Sequence, residues 1–406
     1  MTASKTAAAA ALAAGILAAP ATHAQVPGAQ VSGDALRIGF ITDLSGPYAE
    51  LDGPAGGEAI RMAAADMGGT VAGKRVEVLV ADHRNDAGVA AATARDWFDT
   101  QQLDVLISGV NSDTSLAMAA VAREKRKPFL VVGAGNTAHT DEQCSPYTVQ
   151  YAYDTAAQGK IAGEGVTRAG GKSWFFLTPN YPFGVQMQNA ALSAVTATGG
   201  KVSGSARHPY HAEDFTPFIR QAQASGAQVL GLAGAHTDVV NAVKAANELG
   251  ATGTMMLAAT FAFITELHDL GLEAAQGMYL ADSWFWTRDD ETRAWSQRFF
   301  DKAGRMPSSL QAADYSAALQ YLTAVKAVGS DDAEQVLAQM RRTTINDVFA
   351  RNGRIRDNGL MTHDMYLLRV KAPGASSGPW DYYDLVHTFE GDAAWLPRGE
   401  SKCSPG

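Results

Sequence analysis

Two short segments carry the residues best suited to hold an anion: Gly109-Val110-Asn111-Ser112-Asp113 and Gly133-Ala134-Gly135-Asn136-Thr137. Each follows an apolar run, and both lead toward helices. The first N–H groups of a helix have no intrahelical acceptor and sit at the positive end of its dipole, so they can bind a carboxylate. Small residues let a ligand approach the backbone. The same Asn and Ser residues also serve as ordinary N-caps, so a carboxylate clamp and simple capping stand as alternatives. Aromatic residues form the second set. Tyr48, Tyr151, Tyr153, Tyr181, Phe183, Phe261, Phe263 and Trp284-Phe285-Trp286 fall in segments that read as loops. Solute pockets are mostly apolar and aromatic with a few polar groups; core packing is the competing role. Trp284-Phe285-Trp286 alternates like a strand, which would put one indole inside and one outside.

Other chemistries are poorly provided for. A dinucleotide fingerprint would follow the first strand, where Thr42-Asp43-Leu44-Ser45-Gly46-Pro47 stands instead. Gly170-Gly171-Lys172-Ser173 resembles the end of a phosphate loop. However, the earlier glycine position is Val166, and the segment precedes a strand rather than following one. His208-Pro209-Tyr210-His211 holds a close histidine pair, but Pro209 spoils a helical ligand spacing, and no cysteine cluster or HExxH accompanies it. No GxSxG elbow is present. The chain therefore reads as a non-enzyme, with no cofactor and no metal.

The elements that position these residues alternate. Leu36–Ile41 reads as a strand, followed by a helix with Ile60, Ala63, Ala64 and Met67 at helical spacing. Arg75–Ala81, Leu103–Ser108 and Pro128–Val132 read as further strands, with helices over Ala87–Thr100 and Thr114–Glu124. A second series begins after Cys144-Ser145-Pro146: helix Thr155–Arg168, strand Trp174–Leu177, helix Gly184–Thr196, helix Phe215–Ser225, strand Gln228–Ala233 and helix Val239–Leu249. Strands at Thr254–Ala258 and Met278–Ala281 follow. Strand–helix alternation predicts parallel sheets covered by helices, here in two tandem domains. Three helices (Glu291–Ala303, Ser309–Val328, Asp331–Arg341) precede terminal strands at Gly353–Arg356, Met365–Val370 and Asp381–Leu385, joined by polar turns.

A chain of 406 residues suits two domains. Lys5, the apolar Ala7–Ala19 and Thr22-His23-Ala24 have the order of a secretory signal, predicted over residues 1–24. No Cys follows the cleavage site, so a lipid anchor is not expected. The net charge is −9, one unit more negative without residues 1–24, whose one charged side chain is Lys5. That excludes nucleic acid as the natural partner. In an exported chain, the even pair Cys144 and Cys403 predicts a disulfide that pins the C-terminal tail to the middle of the chain; two free thiols are the alternative.

The segments IGFITDLSGPYAELDGPAGGEAIRMAAADM, GVNSDTSLAMAAVARE, CSPYTVQYAYDT, NGRIRDNGLMTHDMYLLRVK and GPWDYYD together resemble the periplasmic solute-binding proteins of the branched-chain amino acid-binding type, over nearly all of residues 35–403. The resemblance implies an α/β type I periplasmic binding fold: two Rossmann-like lobes with parallel sheets, joined by a three-crossing hinge. Lobe 1 would take residues 35–149 and 283–341, lobe 2 residues 150–282 and 342–391, and residues 392–406 would form the tail. It implies periplasmic location, a monomer, capture of a small carboxylate-bearing solute and delivery to the permease subunits of an ABC transporter. A ligand sensor without transport is the alternative on the same fold.

Carried over residue by residue, the clamp would be Ser112, with Asn111 beside it, and the loop of Ala134 and Asn136. Asn136 stands where amino acid binders usually have Thr or Ser. Tyr48 would cover the site, and Tyr153, Phe183 and the loop at His236 would line it from lobe 2. One departure bears on the ligand. Amino acid binders place an acidic residue against the ligand ammonium after the strand read here as Thr254–Ala258. This chain has Ala259-Thr260-Phe261 there, and Asp154 and Asp282 do not match the position. A buried ammonium without a carboxylate is costly. The expected ligand is thus an organic or aromatic acid without an α-amino group, with leucine, isoleucine or valine as the alternative.

Overall fold

The computed structural model describes residues 1–2, 31–209 and 212–404. Residues 3–24 of the expected signal segment, and Tyr210 and His211, lie outside the described residues. The first sheet is built from β1 (Ala35–Thr42), β2 (Thr70–Val71), β3 (Lys74–Asp82), β4 (Val105–Ser108), β5 (Phe129–Val131) and β6 (Thr148–Gln150), in the spatial order β2-β3-β1-β4-β5-β6. All pairs except β2–β3 are parallel. Helices α1 (Ala49–Asp66), α2 (Ala87–Thr100) and α3 (Ser112–Lys125) connect them.

The alternation within β1 sets the two faces of this sheet. Leu36, Ile38 and Phe40 enter the core that includes α1, whereas Ile41 packs with Ala90 and Ala94 of α2 and Met118 of α3. Gly53 has non-helical backbone angles, followed by Pro54, so α1 is kinked there.

The second sheet follows α4 (Thr155–Arg168). It contains β7 (Ser173–Pro179), β8 (Lys201–His208), β9 (Val229–Leu232), β10 (Met256–Ala259) and β11 (Tyr279–Asp282). Between them run α5 (Pro182–Ala197), α6 (Thr216–Ala224), α7 (Thr237–Glu248), α8 (Ile264–Leu270) and α9 (Leu272–Ala275). Trp174 and Phe176 face the α4–α5 side, and Phe175 and Leu177 the opposite side, with Ile219 of α6 and Val243 of α7. β8 was not anticipated. It is an edge strand of small and polar residues, KVSGSARH, with every second residue exposed over its first half, so no apolar run announces it.

The chain then adds α10 (Asp290–Ala303), α11 (Ser309–Val328) and α12 (Ala333–Arg342). Alanines 312, 313, 317 and 318 are fully buried in the core that α11 shares with α1. After the hairpin β12 (Arg354–Ile355) and β13 (Met361–Thr362), antiparallel β14 (Met365–Val370) and β15 (Tyr383–Phe389) complete the second sheet as β15-β14-β11-β10-β9-β7-β8. Two α/β lobes with largely parallel sheets result, and the chain passes between them three times.

The passages are bonded to one another. His363 Nε2 lies 3.0 Å from Ala152 O, Trp284 Nε1 donates to Val348 O at 2.8 Å, and Arg288 spans Val348 and Phe349 carbonyls. Trp284-Phe285-Trp286 belongs to this hinge rather than to a strand: Trp284 and Phe285 are buried and Trp286 is half-buried. Cys144 and Cys403 are disulfide-bonded with Cα atoms 5.7 Å apart, within the usual range. Among the described residues, no helix is long and apolar enough to cross a membrane.

Candidate functional site

A cavity of about 210 Å³ lies between the lobes at the carboxyl ends of both sheets. Strand order reverses around β1 in the first sheet and around β7 in the second, and ligands of open α/β sheets bind at such switch points. The first lobe contributes the loops after β1, β4 and β5; the second contributes those after β7, β9 and β10.

The first loop is folded around a carboxylate. Asp43 is fully buried and accepts the N–H groups of Ser45, Gly46 and Tyr48 at 3.3, 2.7 and 3.0 Å, which sets the start of α1 and places Tyr48 on the cavity wall. Asn85 also donates to Asp43, and its Oδ1 accepts from Asn111 Nδ2 at 3.2 Å. Asn111 is strained, with φ 85°, and its Oδ1 accepts from the N–H groups of Asp113 and Thr114. His83 braces the same region. Its Nδ1 accepts from Asn85 N, so Nε2–H donates to Val110 O at 3.0 Å. Burial lowers the His83 pKa and keeps the ring neutral.

The third loop is tied in similarly. Asn136 Oδ1 accepts from Ala138 N at 2.9 Å. Gln150 Nε2 donates to the carbonyls of Ala134 and Tyr153, both at 2.6 Å. Tyr153 is buried and its hydroxyl donates to Gly133 O at 2.7 Å; burial raises its pKa well above 10. Capping and cavity lining are therefore not exclusive. The amide oxygens of Asn111 and Asn136 cap the chain beyond them, while both residues border the cavity.

The opposite wall is aromatic. Tyr181 stacks on Phe183 at 5.9 Å, Phe183 meets Phe261 edge-on at 5.5 Å, and Phe261 contacts Tyr153 at 5.1 Å. Pro182 opens α5, and Gln186 stands one turn in, three residues after Phe183 and on the same helix face.

Of the residues singled out from sequence, Tyr48, Asn111, Ser112, Ala134, Asn136, Tyr153, Phe183 and Phe261 line the cavity. His236 and Thr260 are not in the lining. His236 caps α7 with φ 51°, and its neighbour Ala235 borders the cavity instead. Thr260 is buried and donates its hydroxyl to Leu232 O at 3.0 Å. Sequence reasoning missed Leu51, Pro182, Gln186 and Ala235 as lining residues; Tyr181 stood among the candidate pocket aromatics and Asp113 in the first anion-binding segment, neither with an assigned place in the site. Gln186 was findable from the Pro182 helix start and the three-residue spacing from Phe183.

The buried acids of the second lobe are occupied elsewhere. Asp154 accepts Ala157 N at 2.7 Å as the cap of α4, and burial pushes its pKa up to about 6. Asp282 accepts Ser283 N at 2.7 Å and is pushed up to about 7 by burial. Neither lines the cavity. Among the described residues, the lining carboxylate is Asp113, exposed at the first-lobe rim.

A two-lobed α/β protein with a walled cavity at facing switch points belongs to the class that encloses small solutes between its lobes. The periplasmic binding protein family model matches residues 35–378, and the chain belongs to that family. A periplasmic binding protein from Burkholderia mallei is similar in structure, with TM-score 0.86 and 53% identity, covering 91% of this chain and 99% of that one. A branched chain amino acid ABC transporter periplasmic ligand-binding protein from Burkholderia xenovorans LB400 matches with TM-score 0.86 and 35% identity over the same shares. Leu/Ile/Val-binding protein homolog 6 of Brucella abortus (strain 2308) is 27% identical over 196 residues, 48% of this chain and 50% of that protein. The match thus spans about half the length of this curated relative.

Proposed function

We propose that this protein captures a small organic or aromatic carboxylate in the periplasm, closes its lobes around it, and delivers it to the permease of an ABC transporter. The observation that carries this reading is the division of the cavity: helix-start loops at Ser112 and Asn136 on one side, the Tyr153–Phe261–Phe183–Tyr181 wall on the other. An anion suits the first and a flat apolar body the second. The cavity is smaller than the roughly 300–1,000 Å³ typical of drug-sized ligands, which favours a small solute. Among the described residues, no second-lobe carboxylate borders it to pair with an ammonium. Ligand touching both walls favours the closed form by its differential affinity for that state.

A thermal-shift panel of benzoate, 2-oxoisocaproate and leucine tests the ligand class, because a ligand that binds only the native state raises apparent stability. Stabilisation by an acid lacking the α-amino group is expected. Strong stabilisation by leucine with none from the other two would overturn it. Asp113 favours a second reading, since an amino acid could set its ammonium against this rim carboxylate. Asp113→Asn separates the two: an amino acid binder loses affinity, and an acid binder does not. Delivery to a permease is tested by uptake of the bound solute in cells with and without the protein; unchanged uptake favours the sensor role.

A further inference from the structure

Asp52 on α1 and Asp314 on α11 are both fully buried, and their carboxyl groups flank the same point: a methyl group on Gly56 would stand 2.7 Å from Asp52 Oδ1 and 2.6 Å from Asp314 Oδ2. Two ionised carboxylates facing each other in a buried space repel, which favours holding a proton between them. Gln311 of α11 gives Asp52 Oδ1 a long contact of 3.4 Å and its shorter bond, 2.8 Å, to Leu51 O. Arg305, in the α10–α11 connection, is the facing cation and is itself paired with Glu50 at 3.3 Å. Tyr153 is the facing phenol, its proton held on Gly133 O. Burial raises the pKa of both acids.

The placement of the pair relates it to the cavity. A methyl group on Gly133 would stand 2.8 Å from Asp52 Oδ2, and one on Gly109 3.1 Å from it. These glycines lead into the Asn111–Ser112 and Ala134–Asn136 loops, and Gly133 itself lines the cavity. One layer of glycine backbone therefore separates the carboxyl pair from the place where a ligand carboxylate would sit.

We infer that Asp52 and Asp314 form a proton-binding site coupled to the cleft, which takes up a proton when a carboxylate enters. The coupling rests on the reading of the cavity as a carboxylate site. A new negative charge beyond Gly133 makes the pair hold a proton more tightly. By reciprocity, the fully protonated pair binds a carboxylate more tightly than the ionised pair. Capture strengthens as pH falls.

Calorimetry at pH 7 in two buffers of different ionisation enthalpy counts the protons taken up, with benzoate, 2-oxoisocaproate and leucine as probes. All three carry a carboxylate, so the linkage does not depend on which one binds. Net uptake is expected, with affinity weakening about three- to tenfold between roughly pH 6 and 8.5, one pKa unit of coupling being tenfold. Asp314→Asn should keep binding but lose both the uptake and the pH dependence. The buried acids Asp282 and Glu266 also have raised pKa values and remain in that variant as an internal control. Uptake that persists in Asp314→Asn, or is zero in the wild type, overturns the inference. Carboxyl carbon NMR of the ligand-free, Asp-labelled protein provides the independent readout: a resonance titrating above about pH 6 that vanishes in Asp314→Asn. Asp52→Asn serves if that variant does not fold. Should none of the probes bind, the functional reading fails, while the NMR titration still decides whether the proton site exists.

Discussion

His139 Nε2 lies 2.9 Å from Ser115 Oγ, and both residues are buried. Ser115 Oγ donates to Ser112 O at 2.9 Å and so accepts from the imidazole. This contact joins the turn after Asn136 to the first turn of α3, fixing the spacing of the two loops that face the cleft. Ser115→Ala should cost roughly 1–3 kcal/mol of stability, since a buried donor loses its partner, and should weaken ligand binding by about three- to tenfold, the second loop no longer being held in register. Wild-type affinity in a folded Ser115→Ala protein would show that the loops are held apart from this bond.

The same histidine gives a pH signature. Burial lowers its pKa to about 4, below the unfolded value near 6.5. The unfolded chain then binds more protons between these values, so stability rises with pH across that window and is lost as pH falls from about 6.5 to 4. The contribution is on the order of 3 kcal/mol for the full shift. Denaturant titrations at several pH values should show a wild-type advantage over His139→Gln that shrinks toward pH 4. A constant difference would mean that the histidine is not held neutral.

Tyr153 closes the hinge end of the cavity with its hydroxyl on Gly133 O. Tyr153→Phe keeps the ring against Phe261 and leaves that carbonyl short of one partner. A stability loss of about 1–3 kcal/mol is expected, with ligand affinity reduced in the same variant. Chemical denaturation and calorimetry read the two effects separately, and a variant as stable as the wild type would falsify the structural role of the hydroxyl.

Gly135 tests how tightly the loop meets that ring. A methyl group there would lie 2.6 Å from Tyr153 Cε2, too close without a shift of ring or loop. Gly135→Ala should reduce affinity more than Gly253→Ala, where a methyl meets nothing within 4 Å. Equal binding by the two variants would show that the ring gives way freely.

The disulfide closes a ring across 259 residues. Its removal by Cys144→Ser with Cys403→Ser should lower stability by about 2–5 kcal/mol without abolishing binding, since neither cysteine borders the cavity. An unchanged denaturation midpoint would assign the stability to the bonds of Ser401 and Lys402 with Thr140 and Asp141.

Much of this was legible in the sequence where one physical signal dominates. Apolar runs breaking at Asp43 to Pro47, at Gly109 to Asp113 and at Gly133 to Thr137 pointed to β1, β4 and β5 and the loops behind them, because buried parallel strands are nearly continuous in hydrophobicity. The aromatic wall was visible as loop aromatics, although Tyr181 was not assigned to the site. The rest depends on contacts between distant segments. Nothing near Asn85 in sequence marks it as the link between Asp43 and Asn111. Thr260 looked like a ligand contact because it follows β10, yet its hydroxyl satisfies a carbonyl of the neighbouring strand. The Asp52–Asp314 pair spans α1 and α11, and no periodicity reveals that two acids share one buried space.

The C-terminal tail has a mechanical consequence. From β15 in the second sheet it runs back past Lys160 and Arg356, which hold Ala393 O and Leu396 O, and ends at Cys144 beside the first sheet. It is thus a fourth covalent link across the gap, laid along the third hinge passage, where Trp395 Nε1 donates to His363 O at 2.9 Å and Arg398 pairs with Asp357. A link that lies along the hinge adds stiffness to the pivot itself, so the tail works as a splint on the passage beside it.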